Sequence, residues 1–114
     1  MVTPDPRVYL LHIRDCCERV IECAALRDRG TTPAHILLDA ACRNLEILGE
    51  ASRKIGLDFR VAHRQIPWRE MSDLRNVLIH NYERADAEMV WGIAVREVPK
   101  VLTALVGLLG EGAP

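Results

Sequence analysis

Arg75, His80 and Tyr82 form the pattern R-x4-H-x-Y within Trp68-Arg69-Glu70-Met71-Ser72-Asp73-Leu74-Arg75-Asn76-Val77-Leu78-Ile79-His80-Asn81-Tyr82. These residue types suit phosphoryl chemistry. Histidine moves protons because its ordinary pKa lies near neutrality. Arginine stays charged and offers a planar fork of donors that matches phosphate oxygens. Asn76 lies four residues before His80 and so shares its helical face, where the amide can orient the imidazole or touch a phosphate. R-x4-H alone is a weak signal. Taken singly, Arg75 reads as a surface arginine paired with Asp73 or Glu70, His80 as a helix-end histidine facing the last carbonyls, and Tyr82 as a ring anchoring the helix end.

Other chemistries find less support. His12, His35 and His63 are scattered without H-x-x-H or HExxH spacing, so they read as surface or capping residues and the sequence calls for no metal or other cofactor. Asp39, Glu46 and Glu50 read as solvated helix charges rather than a Mg²⁺ site. The four cysteines, Cys16, Cys17, Cys23 and Cys42, contain no CxxC pair and read as buried small hydrophobes. A net charge of −1 excludes a broad positive field for gripping nucleic acid. The charge is uneven, since residues 43–84 hold eight Lys/Arg against six acids, so any RNA site must be local.

Positioning these residues requires helices. Apolar residues make up 49% of the 114-residue chain, aromatics are few, and none of the apolar stripes alternates as in a strand. A first helix starts at Asp5 as cap with Pro6 behind it, buries Leu10, Ile13, Cys17, Val20 and Ala24, and ends before Gly30. A second follows Thr32 as cap and Pro33, with Leu38, Ala41, Leu45, Leu48, Ser52 and Ile55 inward and Gly56 as stop. Residues 57–66 form a short helix or loop. Pro67 opens a third long helix through Trp68, Met71, Leu74 and Leu78 to about Tyr82. Asp86 caps the last, whose stripe runs Trp91, Ala94, Val98, Val101, Leu105, Leu108, with a kink at Pro99 and Gly107, Gly110 and Gly112 fraying its end. Trp68 and Trp91 are core or interface anchors. The expected architecture is one all-α domain over residues 1–114, an antiparallel bundle of four to five helices. Residues 1–9 show neither a secretory signal nor a membrane span, which gives a cytoplasmic expectation.

The motif stretch, together with Asp39-Ala40-Ala41-Cys42-Arg43-Asn44-Leu45-Glu46-Ile47-Leu48-Gly49-Glu50-Ala51, Ile66-Pro67-Trp68-Arg69-Glu70 and residues 86–91, resembles the HepT-like ribonuclease toxins of the HEPN superfamily, found in type VII toxin-antitoxin systems. The resemblance covers most of the chain in order. It implies a HEPN-like bundle and a metal-independent endoribonuclease in which His80 moves protons, Arg75 stabilises the phosphoryl transition state and Asn76 assists. It further implies that Tyr82 is the acceptor for AMP groups added by a MntA-like nucleotidyltransferase antitoxin. Added bulk and negative charge there would block a phosphate backbone from docking. Arg43 and Asn44 match the family segment without an assignable chemistry.

One difficulty arises from the spacing. Five residues along an ideal helix turn by about 140°, so Arg75 and His80 do not share a face. Either the helix distorts or two chains cooperate. A two-fold homodimer pairing the motif helices brings two Arg75 and two His80 into one cleft and supplies both an acid and a base. The rival expectations are a non-catalytic helical subunit that holds nucleotide or a nucleotidyltransferase partner, and a purely structural dimerising bundle.

Overall fold

A computed structural model describes residues 5–80 and 86–110. These residues form α1 (Pro6–Arg29), α2 (Ala34–Arg53), α3 (Leu57–Ala62), α4 (Trp68–His80), α5 (Ala87–Gly92), a π-helical turn (Ile93–Glu97) and α6 (Val98–Leu109). The all-α bundle expected from the sequence is the observed fold, with no strand among the described residues. Tyr82 and Gly112, both read from the sequence above, lie outside the described residues.

Helix ends follow local chemistry. The Asp5 carboxylate accepts from the Arg7 backbone N–H and Pro6 occupies the first turn, while Gly30 takes the left-handed conformation at φ 70° that closes α1. Asp86 likewise accepts from Met89 N–H at the start of α5. The start of α2 departs from expectation. Pro33 itself sits at the cap position and no side chain caps the helix, so Thr32 does not play that part. Gly56 is not the stop of α2 either. The helix ends at Arg53 with Lys54 as its cap, and Gly56 instead precedes α3.

The core is one cluster built from α1, α2, α4 and the C-terminal rod formed by α5, the π turn and α6. In α1 the buried stripe is Leu10, Ile13, Cys16, Cys17, Val20 and Cys23, and Ala24 is only half-buried. On α2, Leu37 is buried where Leu38 was expected, and Leu38 packs beside it. The last rod buries Leu109 rather than Leu108. In each case the expected residue packs against the core while its neighbour in sequence takes the more buried position. Trp68 and Trp91 are both core residues, and Arg27 lies over the Trp91 ring at 5.1 Å.

Pro99 was expected to kink the last rod. The structure marks this place with a widened turn just before the proline: residues 93–97 are π-helical, and Val98 N–H donates to Ile93 O. Proline has no N–H and its ring clashes with the carbonyl four residues back. Widening that turn places Pro99 in the first turn of α6, where its missing donor is not needed. Gly107 continues the helix, and Gly110, at φ 74°, ends it.

Candidate phosphoryl-transfer face on α4

Arg75, Asn76 and His80 all project from α4 as exposed residues. The helix is regular α from Trp68 to His80, so the five-residue step separates Arg75 and His80 by about 140° around the axis. Distortion of the helix before His80 is therefore not the way in which the two residues meet. Asn76 and His80 are one turn apart on one face. One chain thus presents an arginine edge and a histidine edge on either side of its solvent-facing surface.

The arginine edge is built jointly with α2. Arg75 Nη1 stands 3.6 Å from Glu50 Oε1, with the two side chains 52% and 45% exposed. Sequence reasoning had paired Arg75 with Asp73 or Glu70 and left Glu50 solvated. The observed partner is on another helix. Glu50 Oε1 is shut off from solvent and has no hydrogen bond, and 3.6 Å is longer than the 2.7–2.9 Å of a charge-assisted hydrogen bond. The carboxylate therefore aims the guanidinium without consuming its donors, which leaves them available to phosphate oxygens.

Gly49 sets this distance. A methyl group there would stand 2.9 Å from Met71 O, 3.5 Å from Leu74 Cβ and 3.6 Å from Arg75 N. Only a hydrogen fits between α2 and the α4 backbone, so the helices approach closely at the turn that carries Arg75. A glycine inside a helix costs about 1 kcal/mol relative to alanine, which was the available sign that this position serves packing. Without the helix pairing, that sign does not say which residue benefits.

One turn further along the same seam, Arg53 Nε donates to Ser72 O at 3.0 Å. Arg60 reaches the same place, donating from Nε to Ile55 O at 3.0 Å and from Nη2 to Ser52 O at 2.6 Å and Ser72 Oγ at 3.4 Å. It closes the C-terminal carbonyls of α2 and ties them to α4. Arg43 pairs with Glu46 at 3.5 Å on the surface of α2. Asn44 donates to Ala40 O at 2.8 Å, and its Oδ1 is buried without a partner.

The opposite edge of α4 is chemically different. Between α4 and the C-terminal rod lies a cleft of about 370 Å³ with Leu48, Met71, Leu74, Val77, Ile93 and Val101 among its walls, and with Glu70, Asp73 and Glu97 as its charged lining. An apolar, acidic cleft repels a phosphate backbone. Among the described residues no group of three His, Cys, Asp or Glu side chains is placed to hold a metal ion. His63 packs against Phe59, and its carbonyl accepts from Trp68 Nε1 at 2.9 Å, so its role is structural. Burial pushes the Cys17 thiol up to about 12 and raises Cys16, Cys23 and Cys42 as well. None of them is set up as a thiolate nucleophile. No helix among the described residues is long and apolar enough to cross a membrane.

Comparison with known proteins places this architecture. The profile of the family described as ribonuclease HepT-like matches residues 13–106. A protein provisionally named an RNase from Caldanaerobacter subterraneus subsp. tengcongensis is 35% identical over 99 residues, covering 84% of this chain and 87% of that one. A protein from Methanocaldococcus jannaschii, named gamma-glutamylcyclotransferase and provisionally RNase, is 29% identical over 108 residues; these span 94% of this chain but 49% of that relative's length. A protein provisionally named ribonuclease HepT from Thermococcus cleftensis is 44% identical over 62 residues, 54% of this chain and 56% of its own. No solved structure gives a significant match. On the extent of the profile match and the helical fold, the chain belongs to the HepT-like ribonuclease family.

Proposed function

We propose that the protein is a metal-independent endoribonuclease, the toxin of a type VII toxin-antitoxin pair, and that its cleft is completed by a second copy of the chain. The observation that carries this reading is the state of Arg75: its guanidinium is aimed by Glu50 at 3.6 Å, half-exposed, on the same solvent-facing helix as His80. Membership of the HepT-like ribonuclease family supports the choice of RNA. Pairing two α4 helices about a two-fold axis lets the arginine edge of one copy meet the histidine edge of the other. Ile79, 54% exposed between these groups, gives that face an apolar contact.

In the composite cleft one His80 takes the proton from the ribose 2′-hydroxyl as its oxygen attacks the adjacent phosphorus. The bond from phosphorus to the 5′-oxygen breaks, and the second His80 delivers a proton to that leaving oxygen. Arg75 donates to the equatorial oxygens as their charge grows. Asn76, one turn before His80, orients the imidazole. The products are a 2′,3′-cyclic phosphate and a 5′-hydroxyl, with no water nucleophile in the step.

Regulation falls to Tyr82, two residues beyond His80. A MntA-like nucleotidyltransferase antitoxin transfers AMP from ATP to the Tyr82 phenol: the phenolic oxygen bonds to the α-phosphorus, the α–β anhydride bond breaks, and pyrophosphate and the phenolic proton leave, so that the added phosphate charge opposes an RNA backbone. The test is incubation of purified protein with transfer and total RNA in EDTA beside His80→Ala, followed by end analysis of the products. Cyclic-phosphate ends from the wild type only are expected. Intact RNA in the wild-type reaction would instead favour a non-catalytic helical subunit that holds nucleotide or partner.

A further inference from the structure

Two guanidinium groups converge on Ser72 from two different stretches of the chain. Arg53 Nε donates to the Ser72 carbonyl at 3.0 Å, and Arg60 Nη2 reaches the Ser72 hydroxyl at 3.4 Å. Among the described residues neither arginine has a carboxylate partner. Arg60 is largely occupied, because its Nε and Nη2 also close the carbonyls of Ile55 and Ser52. Arg53 is not. Its Nε is fixed to the α4 backbone while the side chain stays exposed, which leaves its terminal amino groups directed by one hydrogen bond and unused. A long surface side chain normally loses rotamer freedom when it binds. Here part of that ordering is already made by the fold.

The location gives the node its meaning. Glu50 and Arg53 are one turn apart on α2, and Ser72 and Arg75 are one turn apart on α4, so the two cross-helix ties sit in register along a single seam. One turn of helix advances about 5.4 Å. The chain's net charge of −1 offers no diffuse attraction to RNA, and the other edge of α4 is apolar and acidic. Arg53 and Arg60 place positive charge on this seam one turn from Arg75.

We propose that Arg53, backed by Arg60 and the Ser72 hydroxyl, is a binding subsite for an RNA backbone phosphate next to the scissile one. This rests on the ribonuclease reading above and deepens it by assigning where the flanking strand runs. Arg75 engages the reacting phosphate, and Arg53 holds a neighbour, fixing the strand's register on α4. A substrate too short to reach the Arg53 subsite gains nothing from it.

The test uses the full chain and non-cleavable 2′-O-methyl oligoribonucleotides of two and six nucleotides, with binding measured across a salt series. Arg53→Gln is expected to weaken the hexanucleotide about tenfold, as for a lost hydrogen bond to a charged group, and to leave the dinucleotide unchanged. The slope of log affinity against log salt should become shallower by about 0.7, the share of one single-strand phosphate contact. Arg64→Gln, which removes an exposed cation elsewhere, is expected to change neither. Equal loss in Arg64→Gln, equal loss for both oligonucleotide lengths, or no loss in Arg53→Gln would each overturn the proposal. If folding were impaired by Arg53→Gln, Arg53→Lys keeps the charge without the Nε tie. It should then retain the salt slope while losing affinity for the hexanucleotide, and full retention of both would count against an oriented fork. Binding that depends on Arg53 in a protein that cuts no RNA would leave the phosphate subsite standing and the ribonuclease reading fallen.

Discussion

Arg75 and Glu50 face each other across the seam between α2 and α4, at 3.6 Å and without a hydrogen bond. A half-exposed pair of this kind contributes only about 0–1 kcal/mol to stability. Its value lies in direction: it holds a cation where a phosphate can take it over.

Glu50→Gln therefore separates positioning from stability. Thermal melting should move little, while RNA cleavage should fall about ten- to hundredfold, as for a displaced catalytic group. Glu50→Asp should recover part of that loss. Cleavage at the wild-type rate in Glu50→Gln would show that Arg75 needs no such guide.

Two glycines give opposite outcomes for the same substitution. Gly49→Ala places a methyl 2.9 Å from Met71 O and must push α4 away. Overpacking of this kind costs about 1–3 kcal/mol, which exceeds the helix-propensity gain of about 1 kcal/mol, and it also displaces Arg75. At Gly107, also within a helix, an added methyl meets nothing within 4 Å, so Gly107→Ala should stabilise by about that propensity gain. Denaturant midpoints and cleavage rates check both: Gly49→Ala should lose stability and activity, and Gly107→Ala should gain stability and keep activity.

Alkaline pH should destabilise the fold through its thiols. Burial raises Cys17 from 9.0 to about 12, so between those values the unfolded chain loses the proton and the folded chain keeps it. The unfolded state then binds fewer protons, and stability falls as pH rises through that window, by about 1.4 kcal/mol per pH unit for such a group. Below 9 the contribution is fully present. Urea melts between pH 8 and 11 should show this decline, and Cys17→Ala should make it shallower even though its starting stability is lower.

Much of this was legible in the sequence because it depends on neighbours in the chain. Asp5 with Pro6, Gly30 and Asp86 act within one turn of themselves, and the structure uses them as expected. The apolar stripes gave the right faces, and their single-residue shifts, Leu37 for Leu38 and Leu109 for Leu108, reflect how each helix settles on its neighbours. Thr32 and Pro33 carried the same local signature as Asp5 and Pro6, yet α2 starts after Pro33 without a side-chain cap. Pro99 signalled a disturbance, but its form, a π turn in which Val98 N–H pairs with Ile93 O, is not announced by the spacing of the apolar residues. The partners of Arg75 and Arg53 were out of reach, because Glu50 and Ser72 meet them only once α2 and α4 pair. Periodicity names the face of a helix without naming the residue opposite.

The most direct test of the composite cleft is to mix wild-type protein with a large excess of His80→Ala protein, allow subunits to exchange, and measure RNA cleavage in EDTA. His80→Ala alone should be reduced by about a hundredfold or more, and the wild-type subunits should lose most of their activity as they pair with it, because a mixed cleft keeps only one of its two His80. Activity per wild-type subunit that is unchanged by the excess, with exchange complete, would contradict a site shared between two chains.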